Sequence, residues 1–150
     1  MRTLNVKVQS DHLSKLASVK SPAQALCELI WNGLDADAQK VIVTYKYNTL
    51  NAINEISIED DGHGIFANEA DAAFENLGGS WKKHAVKTRT KKRLLHGQEG
   101  RGRFKVFALG STATWTTVYM DGLQPYSYTI SGNSDYMTFL ELKQGLLFQI

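Results

Sequence analysis

The chain has 150 residues, 43% of them apolar, with 17 Lys and Arg against 15 Asp and Glu. That length and balance suit one domain with a single core and exclude a disordered or fibrous chain. Cys27 is the lone cysteine and no apolar run could cross a bilayer, which excludes a disulfide scaffold and a membrane-spanning helix.

The expected setting is reducing and cytoplasmic, with no membrane partner. The opening M-R-T-L-N-V-K-V-Q alternates like a strand, over Leu4 to Val8, and does not read as a signal peptide. His12, His63, His84 and His96 are scattered and form no cluster with zinc-ligand spacing. A short helix is predicted from Asp11 to about Val19.

The organising stretch comes next: Ser21 to Ala38, S-P-A-Q-A-L-C-E-L-I-W-N-G-L-D-A-D-A. Ser21 can cap a helix, and Pro22 suits a first turn, where no backbone N–H is needed. Glu28, Asn32 and Asp35 stand at i, i+4 and i+7 and so share a face, beside the apolar series Leu26, Ile30, Leu34 and Ala38. Such a face is either a solvated polar stripe or a site at the edge of a core.

Strands are predicted at Val41 to Tyr47 and Asn54 to Glu59, with Asn48 to Asn51 as the turn. Val41, Val43 and Tyr45 share one face, Ile56 and Ile58 another. The second strand runs into D-D-G-H-G-I, Asp60 to Ile65, a loop by its glycines. A helix capped by Asn68 is expected to run to Leu77 and end at Gly78-Gly79.

Ser80 to His96 lacks an apolar period and is longer than an ordinary connection. Ten of the 17 bases, but only one acid, Glu99, lie between Gly78 and Lys105. A basic segment on an otherwise acidic body faces a polyanion or is a loop kept soluble by charge. G-Q-E-G-R-G-R-F follows, opening a short helix from Phe104 to Leu109. Three strands close the chain, Thr112 to Met120, Tyr126 to Ser131 and Tyr136 to Leu142, with turns at Asp121-Gly122 and Gly132-Asn133. Early helices and a late meander give an α+β fold, a sheet with helices on one face.

No G-x-x-x-x-G-K-[ST] occurs, nor a G-x-G-x-x-G between strand and helix, so neither a P-loop enzyme nor a Rossmann dehydrogenase is indicated. What the chain does contain, in order, is E-x3-N-x2-D-A on a helix, D-x-G-x-G-I after a strand, a basic loop, and G-x-x-G-x-G opening a helix. In this it resembles the GHKL superfamily: the ATPase domains of DNA gyrase B, MutL, MORC proteins, the ninety-kilodalton heat-shock chaperones and the histidine kinases. The resemblance covers roughly Ser10 to Ser131 and is nearest to the MutL, MORC and chaperone branch.

It implies the Bergerat fold, a two-layer α/β sandwich with a mostly antiparallel mixed sheet, and binding of ATP with magnesium. Asp60 would accept from the adenine amino group, Gly62 and Gly64 would admit the ring, and Ile65 would cover it. Asp61 would be a solvent-facing neighbour. Asn32 would hold magnesium, Glu28 would be the general base, and Asp35 would support the pocket. Gly97, Gly100 and Gly102 would turn N–H groups to the phosphates, flanked by Gln98, Arg101, Arg103 and Phe104. Arg101 stands where the family often has an apolar residue and is either a phosphate contact or an exposed charge. The stretch of about 78–99 would be an ATP lid, with Ser80, Lys82 and Lys83 near the γ-phosphate, and its remaining bases in solvent or on nucleic acid.

The superfamily's Gly-Thr pair on a further strand does not occur, and residues 1–150 are expected to be the N-terminal domain of a longer chain. The resemblance implies slow ATP hydrolysis driving lid closure and homodimerisation, coupled to DNA handling, a client protein or a defence effector. A signalling or kinase module and a non-hydrolysing nucleotide sensor are the alternatives.

Overall fold

The structure, a computed structural model, describes residues 2–5, 21–74, 86–96, 102–134 and 138–146. Strand β1 is Arg2–Asn5 and helix α1 is Pro22–Asp35. Strands β2 (Val41–Tyr47) and β3 (Ile53–Asp60) follow, then helix α2 (Ala67–Phe74). A 3₁₀ helix, Gly102–Ala108, leads into β4 (Thr112–Asp121), β5 (Gln124–Asn133) and β6 (Thr138–Leu146). The helix predicted over 11–19 and the helix end at Gly78-Gly79 lie outside the described residues. No helix among the described residues is long and apolar enough to cross a membrane.

The strands form a four-stranded sheet of order β1-β6-β5-β4 and a two-stranded β2-β3 pair, with every pairing antiparallel. The β2-β3 turn is made by Asn48, whose side-chain Oδ1 accepts from the N–H of Leu50 at 2.9 Å and of Ala52 at 3.0 Å. This local bond is why Asn favours such turns. Val43 pairs with Ile58 and Tyr45 with Ile56. Residues directly opposite in an antiparallel pair share a face, so these side chains form one apolar surface and not two. Asp60, opposite Val41, ends that same surface.

Between β4 and β5, Gly122 takes φ +61 in a two-residue loop. The turn predicted at Gly132-Asn133 is absent, because β5 continues through both residues. Ladders to β4 and β6 on either side hold them extended despite their turn propensity. Asn68 does not cap α2 but lies in its first turn, where Glu69 N–H already bonds the Phe66 carbonyl at 2.9 Å.

The core lies between α2, the 3₁₀ helix and one face of β4-β5. Ala70, Ala73 and Phe74 meet Phe104, Tyr119, Tyr128 and Ile130. Alternation does this on β5, where Tyr128, Ile130 and Gly132 are buried in turn. Phe74 meets Trp115 edge-on with centroids 5.1 Å apart, a preferred aromatic geometry. The result is the expected α+β arrangement of helices packed on a sheet.

The loop after β3 is fastened to this core. Ile65 N–H donates to Thr117 Oγ1 at 2.8 Å and the Tyr128 hydroxyl donates to the Ile65 carbonyl at 2.8 Å. Gly64, at φ +69, lies so close to β4 that a Cβ there would sit 2.0 Å from the Val118 carbonyl oxygen. Gly64→Ala is therefore expected to cost at least about 2 kcal/mol, the sum of left-handed strain and overpacking. Gly122→Ala, strained but with nothing within 4 Å of the added atom, should cost about 1 kcal/mol. Urea denaturation midpoints of the two variants check the difference.

Candidate nucleotide site

Helix α1 carries the candidate chemistry. Ser21 occupies its N-cap, but the hydroxyl makes no capping bond. The Ser21 carbonyl instead accepts from Gln24 N–H at 3.0 Å and Ala25 N–H at 3.3 Å. Buried on the helix are Ala25, Gly33 and Asp35, while Leu26, Ile30 and Leu34 are half-buried. Small residues therefore make the closest approaches.

One of these is to the 3₁₀ helix. A Cβ on Gly102 would lie 3.0 Å from Glu28 Oε2 and 3.6 to 3.7 Å from the Asn32 amide. The structure thus brings Glu28, Asn32 and Gly102 together. Lys105 joins them, its Nζ donating to Glu28 Oε1 at 2.6 Å with both side chains about a quarter exposed. A 3₁₀ helix has three residues per turn, so Gly102 and Lys105 stack on one face and meet Glu28 and Asn32 stacked on α1. An open pocket lined in part by Gln24, Cys27, Trp31 and His96 lies beside the ion pair.

The same periodicity turns the next two residues away. Arg103 Nη1 donates to the Ala73 carbonyl at 2.7 Å and its guanidinium lies 5.4 Å from the Phe74 ring centre. Burial pulls that guanidinium down to about 10, so it is still charged at neutral pH. Phe104 is buried in the core. Both were expected to flank the phosphates, and both face the protein interior instead. Lys105 was not among the expected site residues. A three-residue period counted from Gly102 would have found it, but the sequence suggested a helix starting at Phe104.

At its other end α1 meets β3. A Cβ on Gly33 would lie 2.9 Å from Asp60 Cβ, so Asp60 is held one residue beyond Asn32 along the helix. Asp60 Oδ1 accepts from Gly62 N–H at 2.9 Å. The open side of Gly62 is filled by Ala36, whose Cβ and carbonyl oxygen would each be 2.8 Å from an added Cβ, and that of Gly64 by β4. Both glycines thus stand where the backbone packs closely, and Ile65 packs against the core. Asp61 is more than a solvent-facing neighbour. Its Oδ1 accepts from Gln39 N–H at 2.6 Å and Lys40 N–H at 2.8 Å, and the Lys40 bond leads in holding its carboxyl below the ordinary range.

His63 was not expected to matter either. Its Nδ1 lies 2.8 Å from the Gly64 carbonyl oxygen, which cannot donate, so Nδ1 carries a proton. Nε2 is shielded from solvent with no hydrogen-bond partner among the described residues.

Within the expected lid, residues 86–96 are described and form a closed loop. Thr88 N–H bonds the Arg93 carbonyl at 2.8 Å and Leu95 N–H the Val86 carbonyl at 3.1 Å. The loop is fastened to the end of α1. Asp35, buried, accepts from His96 N–H at 3.0 Å through Oδ1, and the His96 ring stacks on Trp31 at 4.3 Å. Asp37 accepts from the N–H and hydroxyl of Thr90, each at 2.7 Å, and from Lys91 N–H at 3.2 Å. Lys91 Nζ donates to the Asp37 carbonyl at 2.6 Å and Arg93 Nη1 to the Ala38 carbonyl at 2.8 Å. Arg89 pairs with Glu69 and lies over the Phe66 ring. The expected solvated bases Arg89, Lys91, Lys92 and Arg93 are thus held by this chain's own acceptors, Lys92 Nζ donating to the Arg89 carbonyl at 2.7 Å, and Lys87 is exposed. Ser80, Lys82, Lys83, Gly97, Gln98, Gly100 and Arg101 lie outside the described residues.

Burial alone would raise the Asp37 carboxyl, but the hydrogen bonds from Thr88, Thr90 and Lys91 outweigh it and hold the group far below the ordinary range. A depressed folded value means that stability is present above the unfolded value of about 4 and is lost as pH falls toward the folded one. Asp37→Asn is expected to cost about 1–3 kcal/mol at pH 7. The gap to wild type should narrow between about pH 4 and pH 2, as read from urea midpoints along that series.

Comparison with known proteins follows this geometry. No curated protein was found to match the chain. The family profile described as histidine kinase-, DNA gyrase B- and HSP90-like ATPase matches residues 19–138, which takes in α1, the Asp60 loop, the 3₁₀ helix and β4-β5. With well over half of its length matched, the chain belongs to the histidine kinase-, DNA gyrase B- and HSP90-like ATPase family.

Proposed function

We propose that this domain binds ATP with magnesium and hydrolyses it slowly, the cycle driving lid closure and dimerisation. The output would be DNA handling, a client protein or a defence effector. The observation that carries the reading is the convergence of Glu28 and Asn32 on the bare face of Gly102, with Asp60 held against α1 at Gly33, the residue after Asn32. Family membership supports the nucleotide.

Asp60 would accept from the adenine amino group, which guanine's carbonyl cannot supply. Gly102, bare of a side chain, would let its backbone face the phosphates beside Asn32. Asn32 would hold magnesium by its amide oxygen. A single chain ligand suits an ion that keeps its waters, and no trio of His, Cys, Asp or Glu among the described residues is placed to hold a metal. Bound there, the ion would neutralise phosphate charge. Glu28, one turn away, would orient a water in line with the γ-phosphorus and take its proton as the bond to ADP breaks.

One observation favours the non-hydrolysing sensor: Glu28 is tied to Lys105. Phosphate release decides between them. Glu28→Gln should retain ATP and lose roughly 10²–10⁴-fold in release rate, and Asp60→Asn should weaken ATP binding by roughly tenfold or more. Binding with no release by the wild type would establish the sensor. Unchanged ATP affinity in Asp60→Asn would sink the assignment of the base pocket.

A further inference from the structure

We infer that Lys105 is a positioning residue that couples the presence of a terminal phosphate to the freedom of Glu28. This rests on the ATPase reading above. Three observations carry it. Lys105 Nζ holds Glu28 Oε1 at 2.6 Å, so the carboxylate is engaged by an ammonium. Gly102, one 3₁₀ turn before Lys105, packs closely on the same carboxylate, where a Cβ would lie 3.0 Å from Oε2 and 3.6 to 3.7 Å from the Asn32 amide. The pair borders an open pocket and is not sealed in the core.

An ammonium on Oε1 occupies an acceptor site of the carboxylate and fixes its orientation, so Glu28 is held toward Lys105 and not turned to a water. A polyanion arriving at Gly102 competes for that ammonium, because phosphate oxygens are strong acceptors for lysine. When Nζ turns to the terminal phosphate, Glu28 is released toward the water it must activate. A diphosphate, which ends one phosphate short, leaves the ion pair closed. The base is thereby freed when the substrate is in place and not before.

The coupling is measured by ATP and ADP affinities, with no need of turnover. Lys105→Met is expected to weaken ATP binding by roughly ten- to hundred-fold, the value of one charge-assisted contact, to leave ADP binding unchanged and to lower kcat. Lys105→Arg should restore most of the preference for ATP. Glu28→Gln removes the competitor for the ammonium, so it should raise the ATP-over-ADP preference several-fold, and that gain should vanish in the double variant with Lys105→Met. Simple relief of carboxylate–phosphate repulsion would instead persist in the double variant and would overturn the inference.

Equal loss of ATP and ADP binding in folded Lys105→Met would also overturn it, leaving Lys105 a structural residue. Should Lys105→Met fail to fold, Glu28→Gln alone decides, and an unchanged preference is again fatal. A wild type that binds no ATP removes the ATPase reading itself. A wild type that binds and hydrolyses ATP, with the preference unmoved in these variants, removes this inference alone.

Discussion

The approach of α1 to its neighbours is the constraint on which the rest depends, and at each point it is made at a glycine. Gly33 lets β3 bring Asp60 against the helix, Gly62 lets the following loop pass Ala36, and Gly102 lets the 3₁₀ helix meet Glu28 and Asn32. An added Cβ would lie 2.9 Å from Asp60 at Gly33 and 2.8 Å from Ala36 at Gly62, closer than packed atoms come, and 3.0 Å from Glu28 Oε2 at Gly102, where the carboxylate would have to shift. The three contacts fix the distance from one functional side chain to the next, because a helix is a rigid ruler of 1.5 Å per residue. Substitution at any one of them would move a candidate residue as well as weaken packing.

The end of the same helix resolves the charge asymmetry of the chain. The last carbonyls of α1 are met by the chain just beyond it, Ala36 N–H on Asn32 and Gly33, Asp37 N–H on Leu34 and Ala38 N–H on Gly33, and the carbonyls past the helix recruit bases: Lys91 bonds that of Asp37 and Arg93 that of Ala38. Asp37, at φ 66, takes a left-handed conformation that Asp tolerates better than most residues. Its carboxylate is thereby available to the Thr88–Lys91 turn. Acid and base therefore meet inside one domain, which reduces the charge left for a polyanionic partner.

Much of this was legible in the sequence, for identifiable reasons. The α1 register, β2 and the Asn48 turn followed from spacing and local hydrogen bonding, which belong to neighbouring residues. So did the juxtaposition of Glu28 and Asn32. The errors arose where a distant partner decides. Gly132-Asn133 has the composition of a turn, but two flanking strands hold it flat. Arg103 stands beside Gly102 in sequence, and only the threefold period of a 3₁₀ helix shows that it points to Ala73 while Lys105 returns to Glu28. Asp37, in D-A-D-A, drew no expectation, because the donors to its carboxylate lie more than fifty residues away.

The Glu28–Lys105 pair is best understood by what it does not contribute. With a quarter or more of each side chain in solvent, such a pair adds only about 0–1 kcal/mol to stability, since water screens the attraction and two long side chains lose freedom. The buried Asp37 cluster holds its segment far more firmly, through four hydrogen-bond donors. The domain thus has a strong fastening just past the end of α1 and a weak one at its middle. A weak fastening is the kind a ligand can exchange, because replacing it requires little free energy beyond what a single phosphate contact supplies. The difference between these two points along one helix separates what this fold keeps fixed from what it leaves free to change.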